Sequence, residues 1–337
     1  MRRRKFLKQA GTFGFAAAGF SQLGYSATPT SRPKIVGHGD FRYKVDKKWG
    51  ALDASLQPVQ HCHEMVMDSQ GRLLCSMVGR RANVLIYSKY GRLQDSWRLN
   101  LSEPHGLSKA GEGKAQTFLI TDSAAGRVLH LAPDGRLIRE LSVPADQIPH
   151  GKSFRPTETA MAANGDIYVA DGYGTNLIFH YDPKGQLKDI FGGPDHFDCC
   201  HGIAIDDRSG QETLLITNQN GQELQRWSMG GQHLSTRRFP GLRPCRPVID
   251  GENTYFAVIA TASWTNYDGM VAVLDKDFEV VSLPGGSAPT DQDDFTNVRH
   301  DGKTFLNPHD VCPDKDGNLY VPQWFSGRTY PIRLRRV

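Results

Sequence analysis

One short pattern recurs six times along the chain and constrains the fold more than any other feature. Each copy places a site residue before or at the start of an apolar, strand-like run, and a second such run follows. The site positions are 63, 105, 157, 201, 246 and 309, so successive copies lie 42, 52, 44, 45 and 63 residues apart. Units of about 40 to 50 residues are typical of propeller blades, which contain four short strands each. The sequence therefore predicts six blades.

The segments between the copies supply the remaining strands. Short apolar runs such as Val84–Tyr87 and Leu177–Tyr181 end at glycine-bearing turns, as in β-hairpins. A single blade would expose two apolar faces, and a closed ring buries both. One extra strand-like run, 41–45, precedes the first copy, so we expect it to complete the last blade. The prediction is an all-β, six-bladed β-propeller closed by an N-terminal strand, with the acidic segment 285–300 as a surface loop.

The N-terminus has the pattern of an export signal. Arg3 and Arg4 form a twin-arginine motif, and the apolar run 10–20 that follows is too short to span a bilayer. We expect residues 1–27 to be a twin-arginine signal peptide, or a membrane anchor if they are not cleaved. Residues 28–337 would then form one propeller domain in the periplasm.

Charge and cysteine content exclude several functions. The first 27 residues carry five positive charges and no acid, and removing those five from the net charge of +4 leaves −1. This gives no electrostatic basis for binding nucleic acid or an anionic membrane. We expect a monomer.

The cysteines do not form a zinc knuckle, because the sequence contains no C-x-x-C pair. We expect them to be small buried residues, although a disulfide is allowed in the periplasm. The six cysteines are Cys62, Cys75, Cys199, Cys200, Cys245 and Cys312.

Four of the six site positions are histidine: His63, His105, His201 and His309. The first strand of each propeller blade lines the central channel, so equivalent positions should meet at one mouth. Three imidazoles with one open position are typical of a zinc site, and iron, copper and nickel also accept imidazole. The alternative is that repeat duplication has copied histidines that only cap strands. The pattern alone leaves open which three of the four would bind a metal.

Turns after the second strands should project over the same mouth. Tyr173 lies in such a turn of the third blade, and Arg80 and Arg81 lie in the comparable turn of the first. A phenol beside a metal ion and a cation has a lowered pKa and can act as a base; otherwise Tyr173 is an ordinary turn residue. Aromatic residues occupy comparable turns of the last and fifth blades: Trp324, Phe325 and Trp264. The set predicts a cleft for a small carboxylate- or amide-bearing substrate.

The chain resembles the NHL-repeat propellers and, among them, the peptidyl-α-hydroxyglycine α-amidating lyase family. The segments that carry the resemblance are 101–108, 155–158, 167–173, 200–205 and 307–311. The resemblance implies a catalytic zinc, or iron, held by His105, His201 and His309. It implies that Tyr173 is the catalytic tyrosine and that Asp310 binds a structural calcium together with backbone carbonyls.

The reaction implied by the resemblance is dealkylation of an α-hydroxyglycine amide to the amide and glyoxylate. Tyr173 would take the hydroxyl proton, and an arginine matching Arg80 or Arg81 would stabilise the tyrosinate or the substrate carboxylate. The chain departs from the family at Gln219, where a second arginine is expected, and at Gly174, where the family has cysteine. His63 occupies an equivalent position in the first blade and could join the site.

Two other functions remain open from the sequence. The chain could be a non-catalytic NHL propeller that binds a protein or glycan, with structural histidines. It could also be a lactonase-like hydrolase, which would need carboxylates at the mouth, such as Glu64 or Glu158.

Overall fold

The computed structural model describes residues 34–259, 268–325 and 329–337, and confirms an all-β propeller with six blades. The expected signal peptide, residues 1–27, and Trp264 lie outside the described residues. Apart from two short 3-10 turns, Gly113–Ala115 and Ala145–Gln147, the described elements are strands. None of the helices in these three ranges has the length and apolarity to cross a membrane.

The described residues form twenty-five strands arranged in six sheets. The chain begins with β1 (Ile35–His38) and β2 (Phe41–Asp46). Blade 1 contains β3 (His61–Met67), β4 (Leu73–Val78), β5 (Val84–Tyr87) and β6 (Leu93–Trp97). Blade 2 contains β7 (Pro104–Ala110), β8 (Thr117–Asp122), β9 (Arg127–Leu131) and β10 (Leu137–Leu141). Blade 3 contains β11 (Glu158–Met161), β12 (Ile167–Ala170), β13 (Leu177–Tyr181) and β14 (Leu187–Gly192).

The remaining blades follow the same antiparallel order. Blade 4 contains β15 (Cys200–Asp206), β16 (Thr213–Asn218), β17 (Glu223–Ser228) and β18 (His233–Arg238). Blade 5 contains β19 (Val248–Asp250), β20 (Asn253–Val258), β21 (Met270–Leu274) and β22 (Val280–Ser282). Blade 6 contains β23 (Cys312–Pro313), β24 (Leu319–Val321) and β25 (Ile332–Arg336). The first strands of blades 1 to 4 contact one another in succession, which places them around the channel.

The ring is closed by strands from both ends of the chain, as predicted. β2 pairs with β25, with Tyr43 opposite Arg336 and Val45 opposite Leu334. β1, which was not predicted from the sequence, pairs with β2 and makes this sheet five-stranded.

The core is a series of apolar layers between neighbouring blades. Leu74 and Ile86 of blade 1 pack towards Phe118 of blade 2, whereas Leu73 and Tyr87 face the opposite side, in the cluster that contains Tyr320 of blade 6. Successive strand residues point to opposite faces. Because both faces of each blade are covered, second strands such as β4 and β12 are buried at nearly every position.

Two further expectations can be compared with the fold. Residues 283–311 connect β22 to β23 and contain an isolated bridge between Gly286 and His300, so the expected loop is confirmed, although Phe295 within it is buried. All six cysteines, which lie in described segments, are buried and free, as expected for small packed residues.

Candidate metal centre at the channel mouth

Four histidines from four blades converge at one end of the channel. All four are almost fully buried. The ring centroids of His63 and His105 are 4.7 Å apart, and those of His105 and His201 are 5.0 Å apart. The His309 ring lies 4.7 Å from His105, 4.9 Å from His63 and 5.0 Å from His201. The geometry that the repeat pattern predicted is therefore present.

Local backbone irregularities place three of these side chains. The ladders of β3, β7 and β15 shift register between Cys62 and Met65, between Pro104 and Leu107, and between Cys200 and Gly202. Each shift contains one of the histidines. A β-bulge redirects side chains at the end of a strand, so the repeated irregularity explains why the imidazoles turn towards the channel axis.

Glycine after two of the histidines allows the blades to approach closely. A Cβ atom on Gly106 would lie 2.5 Å from the carbonyl oxygen of Thr157, and one on Gly202 would lie 2.4 Å from the Cα atom of Arg246. Both neighbours are backbone atoms of the next blade and cannot move aside by rotation. The His-Gly pairs of the sequence therefore reflect packing of adjacent first strands.

Hydrogen bonds orient two of the rings. Nδ1 of His105 lies 2.8 Å from the carbonyl oxygen of Thr157, and Nδ1 of His309 lies 3.2 Å from that of His63. In each pair Nδ1–H donates to the carbonyl, which leaves Nε2 as the lone-pair nitrogen. Such a contact fixes the tautomer of a metal-binding histidine.

The site keeps its imidazoles neutral. Burial lowers the pKa of all four histidines, and repulsion from neighbouring imidazolium groups lowers it further for His63, His201 and His309. The pKa of His105 falls to about 4. Neutral imidazole is the form that binds a metal ion.

The histidines fit a zinc-type ion. Ligand nitrogens of His63, His105 and His309 all lie within 4.8 Å of one another. Nδ1 of His63 and Nδ1 of His201 are buried without a hydrogen-bond partner, which is costly for a polar atom. His63 thus joins His105 and His309 in the tightest described group, while His201, the third ligand implied by the resemblance, lies beside it.

Tyr173 projects into the cluster as predicted. Its hydroxyl lies 3.1 Å from Nε2 of His105 and 3.1 Å from Nε2 of His201. About a third of the residue, 37%, remains exposed. Burial of the hydroxyl, followed by nearby Cys199 and Cys245, raises the pKa of Tyr173 well above its ordinary value. The lowered pKa expected from the sequence is therefore not produced by the surrounding protein groups.

The cation nearest to Tyr173 is not one of the two predicted. Arg80 and Arg81 lie in the expected turn between β4 and β5, but both are exposed, and Arg81 donates a hydrogen bond to the carbonyl of Leu56. Instead the guanidinium of Arg155 lies 5.8 Å from the centroid of the Tyr173 ring. The sequence analysis gave Arg155 no role.

Glu103 is the second mouth residue that sequence reasoning missed. Its carboxylate lies 3.5 Å from Nε2 of His61 and 3.6 Å from Nε2 of His63. Glu103 and Arg155 each stand two positions before the site residue of their blade, as His61 does in the first blade. The residue two positions before each repeated site residue could therefore have been predicted to lie at the mouth.

A cavity of about 460 Å³ opens beside Tyr173. Arg155, Gln219 and Trp324 help to line it. Gln219 is buried, and its Nε2 lies 3.6 Å from the Sγ atom of Cys245. The Trp324 ring is 6.0 Å from that of His61. The cavity thus has one cationic residue, Arg155, together with three side-chain amides, one aspartate and an aromatic side.

Asp310 makes a contact that the resemblance did not suggest. Its two oxygens accept bonds of 2.7 and 3.2 Å from Nη2 and Nε of Arg246. The same guanidinium donates to the carbonyls of Met65 and Leu107, each at 3.0 Å. A carboxylate and backbone carbonyls suit calcium, but here these oxygens are bonded to an arginine. The residues present therefore do not fit the structural calcium expected from the resemblance.

Glu64 and Glu158 are buried beside Arg246. Their oxygens lie 3.7 and 3.8 Å from its nitrogens, and they accept backbone bonds of 2.7 Å from Leu107 and Thr159. Burial raises the pKa of both, and the charge of Glu158 raises that of Glu64 further. A lactonase-like hydrolase would require carboxylates exposed at the mouth, and neither of these two is exposed there.

The chain is similar in sequence to an amidating lyase and to an NHL-repeat protein. No family model matches it. It is 24% identical over 247 residues to the probable peptidyl-alpha-hydroxyglycine alpha-amidating lyase pgal-1 of Caenorhabditis elegans, covering 68% of this chain and 64% of that protein. It is 23% identical over 214 residues to human NHL repeat-containing protein 3, covering 55% and 60%. The chain thus spans about three fifths of these relatives, and their names confirm the NHL-repeat and amidating-lyase resemblance.

Shorter matches and solved structures agree on the architecture. The virginiamycin B lyase of Nocardia farcinica is 30% identical over 104 residues, covering 30% of this chain and 32% of that protein. The crystal structure of virginiamycin B lyase from Staphylococcus aureus has a TM-score of 0.52 at 15% identity, covering 80% of this chain and 78% of that one. A chain of the nidogen/laminin complex has a TM-score of 0.54 at 14% identity, covering 81% and 94%. At these identities the structures support the fold alone.

Proposed function

We propose that this protein is an exported, metal-dependent lyase that cleaves the C–N bond of an α-hydroxyglycine-like carbinolamide. The observation that carries the proposal is the Tyr173 hydroxyl, which lies 3.1 Å from imidazoles of two different blades within a cluster of four. A titratable hydroxyl beside a candidate metal site and a cavity is the arrangement that proton abstraction needs. The names of the relatives support the reaction type.

The histidine cluster would hold the metal. His105 and His309 belong both to the tightest described group and to the set implied by the resemblance, and His63 or His201 would complete the ligands. Zinc is the first choice for such a set, and iron is the alternative. When bound, the ion would supply a Lewis acid that polarises substrate oxygen.

Tyr173 would move the proton. Its phenolate oxygen takes the proton of the substrate hydroxyl, the oxygen electron pair forms the C=O bond of glyoxylate, and the C–N bond breaks. The departing nitrogen takes the proton now held by Tyr173, which gives the amide and restores the phenolate. Arg155 lies over the Tyr173 ring at 5.8 Å, but burial still raises the pKa of the phenol, so a bound metal ion would have to favour the phenolate.

The cavity favours a small substrate that carries a carboxylate or an amide. Arg155 can pair with a carboxylate at the rim, and Gln219 can donate to or accept from an amide. An amide in place of the arginine expected at position 219 removes one charge-assisted contact. The substrate therefore need not end in the free carboxylate of a glycine derivative.

A second lyase function is supported by a specific match. The similarity to virginiamycin B lyase of Nocardia farcinica, at 30% identity over 104 residues, brings virginiamycin B into consideration as the substrate. The third possibility is a non-catalytic NHL propeller that binds a protein or glycan, supported by the human NHL relative.

Metal analysis and turnover distinguish these functions. We expect about one zinc or iron per chain, and release of glyoxylate from an α-hydroxyglycine amide. Tyr173→Phe should keep the metal and lower kcat by about 10²- to 10⁴-fold. Tyr168→Phe, in the same blade, removes a hydroxyl bonded to the Met229 carbonyl and serves as the matched control. A metal-loaded protein that cleaves virginiamycin B and releases no glyoxylate would favour the second lyase function.

Export is a separate part of the proposal. We expect cell fractionation to find the protein in the periplasm, as a monomer. Replacing Arg3 and Arg4 with lysine should retain it in the cytoplasm. Unchanged periplasmic protein in this variant would contradict the twin-arginine route.

A further inference from the structure

Arg246 is the site residue of blade 5, yet its bonding partners belong to other blades. The residue is buried, at 8% exposure, and its guanidinium crosses the channel. It donates to the Met65 carbonyl in blade 1, to the Leu107 carbonyl in blade 2 and to the Asp310 carboxylate before blade 6. A single side chain therefore joins four blades.

The three partners lie next to histidines of the candidate metal centre. Met65 follows His63 by two residues, Leu107 follows His105 by two, and Asp310 follows His309 directly. The backbone N–H of Met65 also donates to Oδ2 of Asp310 at 2.9 Å. The guanidinium and this bond connect the three segments whose imidazole nitrogens lie within 4.8 Å of one another.

We propose that the Arg246 guanidinium is a built-in cation that takes the place of a calcium ion and positions His63, His105 and His309. Calcium would use the same donors, a carboxylate and backbone carbonyl oxygens. A guanidinium presents five N–H donors in a fixed plane, so it can bond Asp310 through two nitrogens and still reach two carbonyls. The cation is covalently part of the chain and cannot be removed by dilution or chelation.

Charge around the guanidinium supports this role. Asp310 is bonded to it, and the buried carboxylates of Glu64 and Glu158 are within 4 Å of its nitrogens. Removing the positive charge would leave three buried acidic groups around an open space, which is the chemistry of a divalent cation site. The positioning role rests on the proposed metal centre, whereas the replacement of calcium does not.

The first test measures calcium dependence of the metal-free protein. In buffer stripped of divalent ions, the unchanged protein should melt at the same temperature with and without millimolar calcium. Arg246→Ala should melt at a lower temperature and recover part of the loss when calcium is added. A calcium-dependent melting temperature in the unchanged protein, or no calcium response in Arg246→Ala, would overturn the replacement of calcium by arginine.

The second test measures cobalt binding to the histidines. Loss of a group that orients metal ligands lowers metal affinity by about 10- to 100-fold. We expect a loss of this size in Arg246→Ala, with a changed cobalt absorption spectrum and partial recovery in calcium. If Arg246→Ala does not fold, Arg246→Lys replaces it, because lysine keeps the charge but cannot bond Asp310 through two nitrogens. Full cobalt affinity in a folded Arg246 variant would refute the positioning role.

A matched control separates this role from general loss of an arginine. Arg208 bonds the Asp206 carboxylate and the Glu252 carbonyl in blades 4 and 5, away from the histidines. Arg208→Ala should keep cobalt affinity and show no calcium response. If the unchanged protein binds no cobalt, the proposed metal centre fails, and the calcium experiment still decides whether Arg246 serves as the internal cation.

Discussion

Replacing Gly106 with alanine should damage both the propeller and the candidate metal centre. The added Cβ would lie 2.5 Å from the Thr157 carbonyl oxygen and 2.9 Å from the Cα atom of Glu158. The first contact is about 0.9 Å closer than the 3.4 Å at which ordinary contact begins. Both atoms belong to backbone, so β7 and β11 must separate.

The expected cost follows from two opposing effects. Overpacking a buried site costs about 1 to 3 kcal/mol, and a rigid backbone obstacle places Gly106→Ala near the upper end. Alanine also restricts the unfolded chain more than glycine does, which raises the free energy of unfolding by about 0.4 to 1 kcal/mol. We therefore expect the free energy of unfolding to fall by about 2 kcal/mol.

The same obstacle affects His105. The Thr157 carbonyl oxygen that the new methyl group would contact is also the acceptor for Nδ1 of His105, at 2.8 Å. Displacing that oxygen removes the group that orients the ring, so cobalt affinity should fall about 10-fold or more.

Urea unfolding and cobalt titration measure the two effects. Gly230→Ala is the control, because its Cβ would have its nearest neighbour at 3.9 Å. That variant should change stability by no more than about 0.5 kcal/mol. If Gly106→Ala behaves like Gly230→Ala in both assays, the close approach of β7 and β11 does not constrain the site as argued.

Three further results are expected. His63→Ala should lower cobalt affinity at least about 10-fold; if only His201→Ala does so, the group formed by His63, His105 and His309 is not the ligand set. In the metal-free folded protein, the pKa of His105 is lowered to about 4, so below pH 6.5 the unfolded chain binds a proton that the folded protein does not. The free energy of unfolding should therefore be highest above pH 6.5 and fall as the pH drops towards 4. This amounts to about 3 kcal/mol, and a urea midpoint that stays constant over that range would contradict it. Gln219→Arg should lower KM for a carboxylate-bearing α-hydroxyglycine with little change in kcat; an unchanged KM would remove residue 219 from substrate binding.

Much of the fold could be read from the sequence because blades repeat. The period, the hairpin turns and the strand-like run at 41–45 were enough to predict six blades and a closed ring, which the structure confirms. β1 was missed because it is a four-residue edge strand whose first residue, Ile35, is exposed. Such a strand has too weak an apolar pattern to be distinguished from a loop.

The histidine cluster was predictable for the same reason, since ring symmetry brings equivalent positions together. The interactions of Arg246 were not, because a long side chain can leave its own blade and reach partners 64, 139 and 181 residues away in sequence. From the sequence, position 246 is distinguished only as one of the two site positions that are not histidine, the other being Thr157. Arg80 and Arg81 were favoured over Arg155 because turns were considered and the residues preceding each first strand were not.

The pairing of β2 with β25 has a consequence for how the protein is made. The first of these strands is synthesised long before the second. Until then the nascent polypeptide is an open arc whose end blades expose apolar surface. Proteases can therefore recognise a product that lacks the second strand, and a complete set of imidazoles forms only after blade 6 has been synthesised.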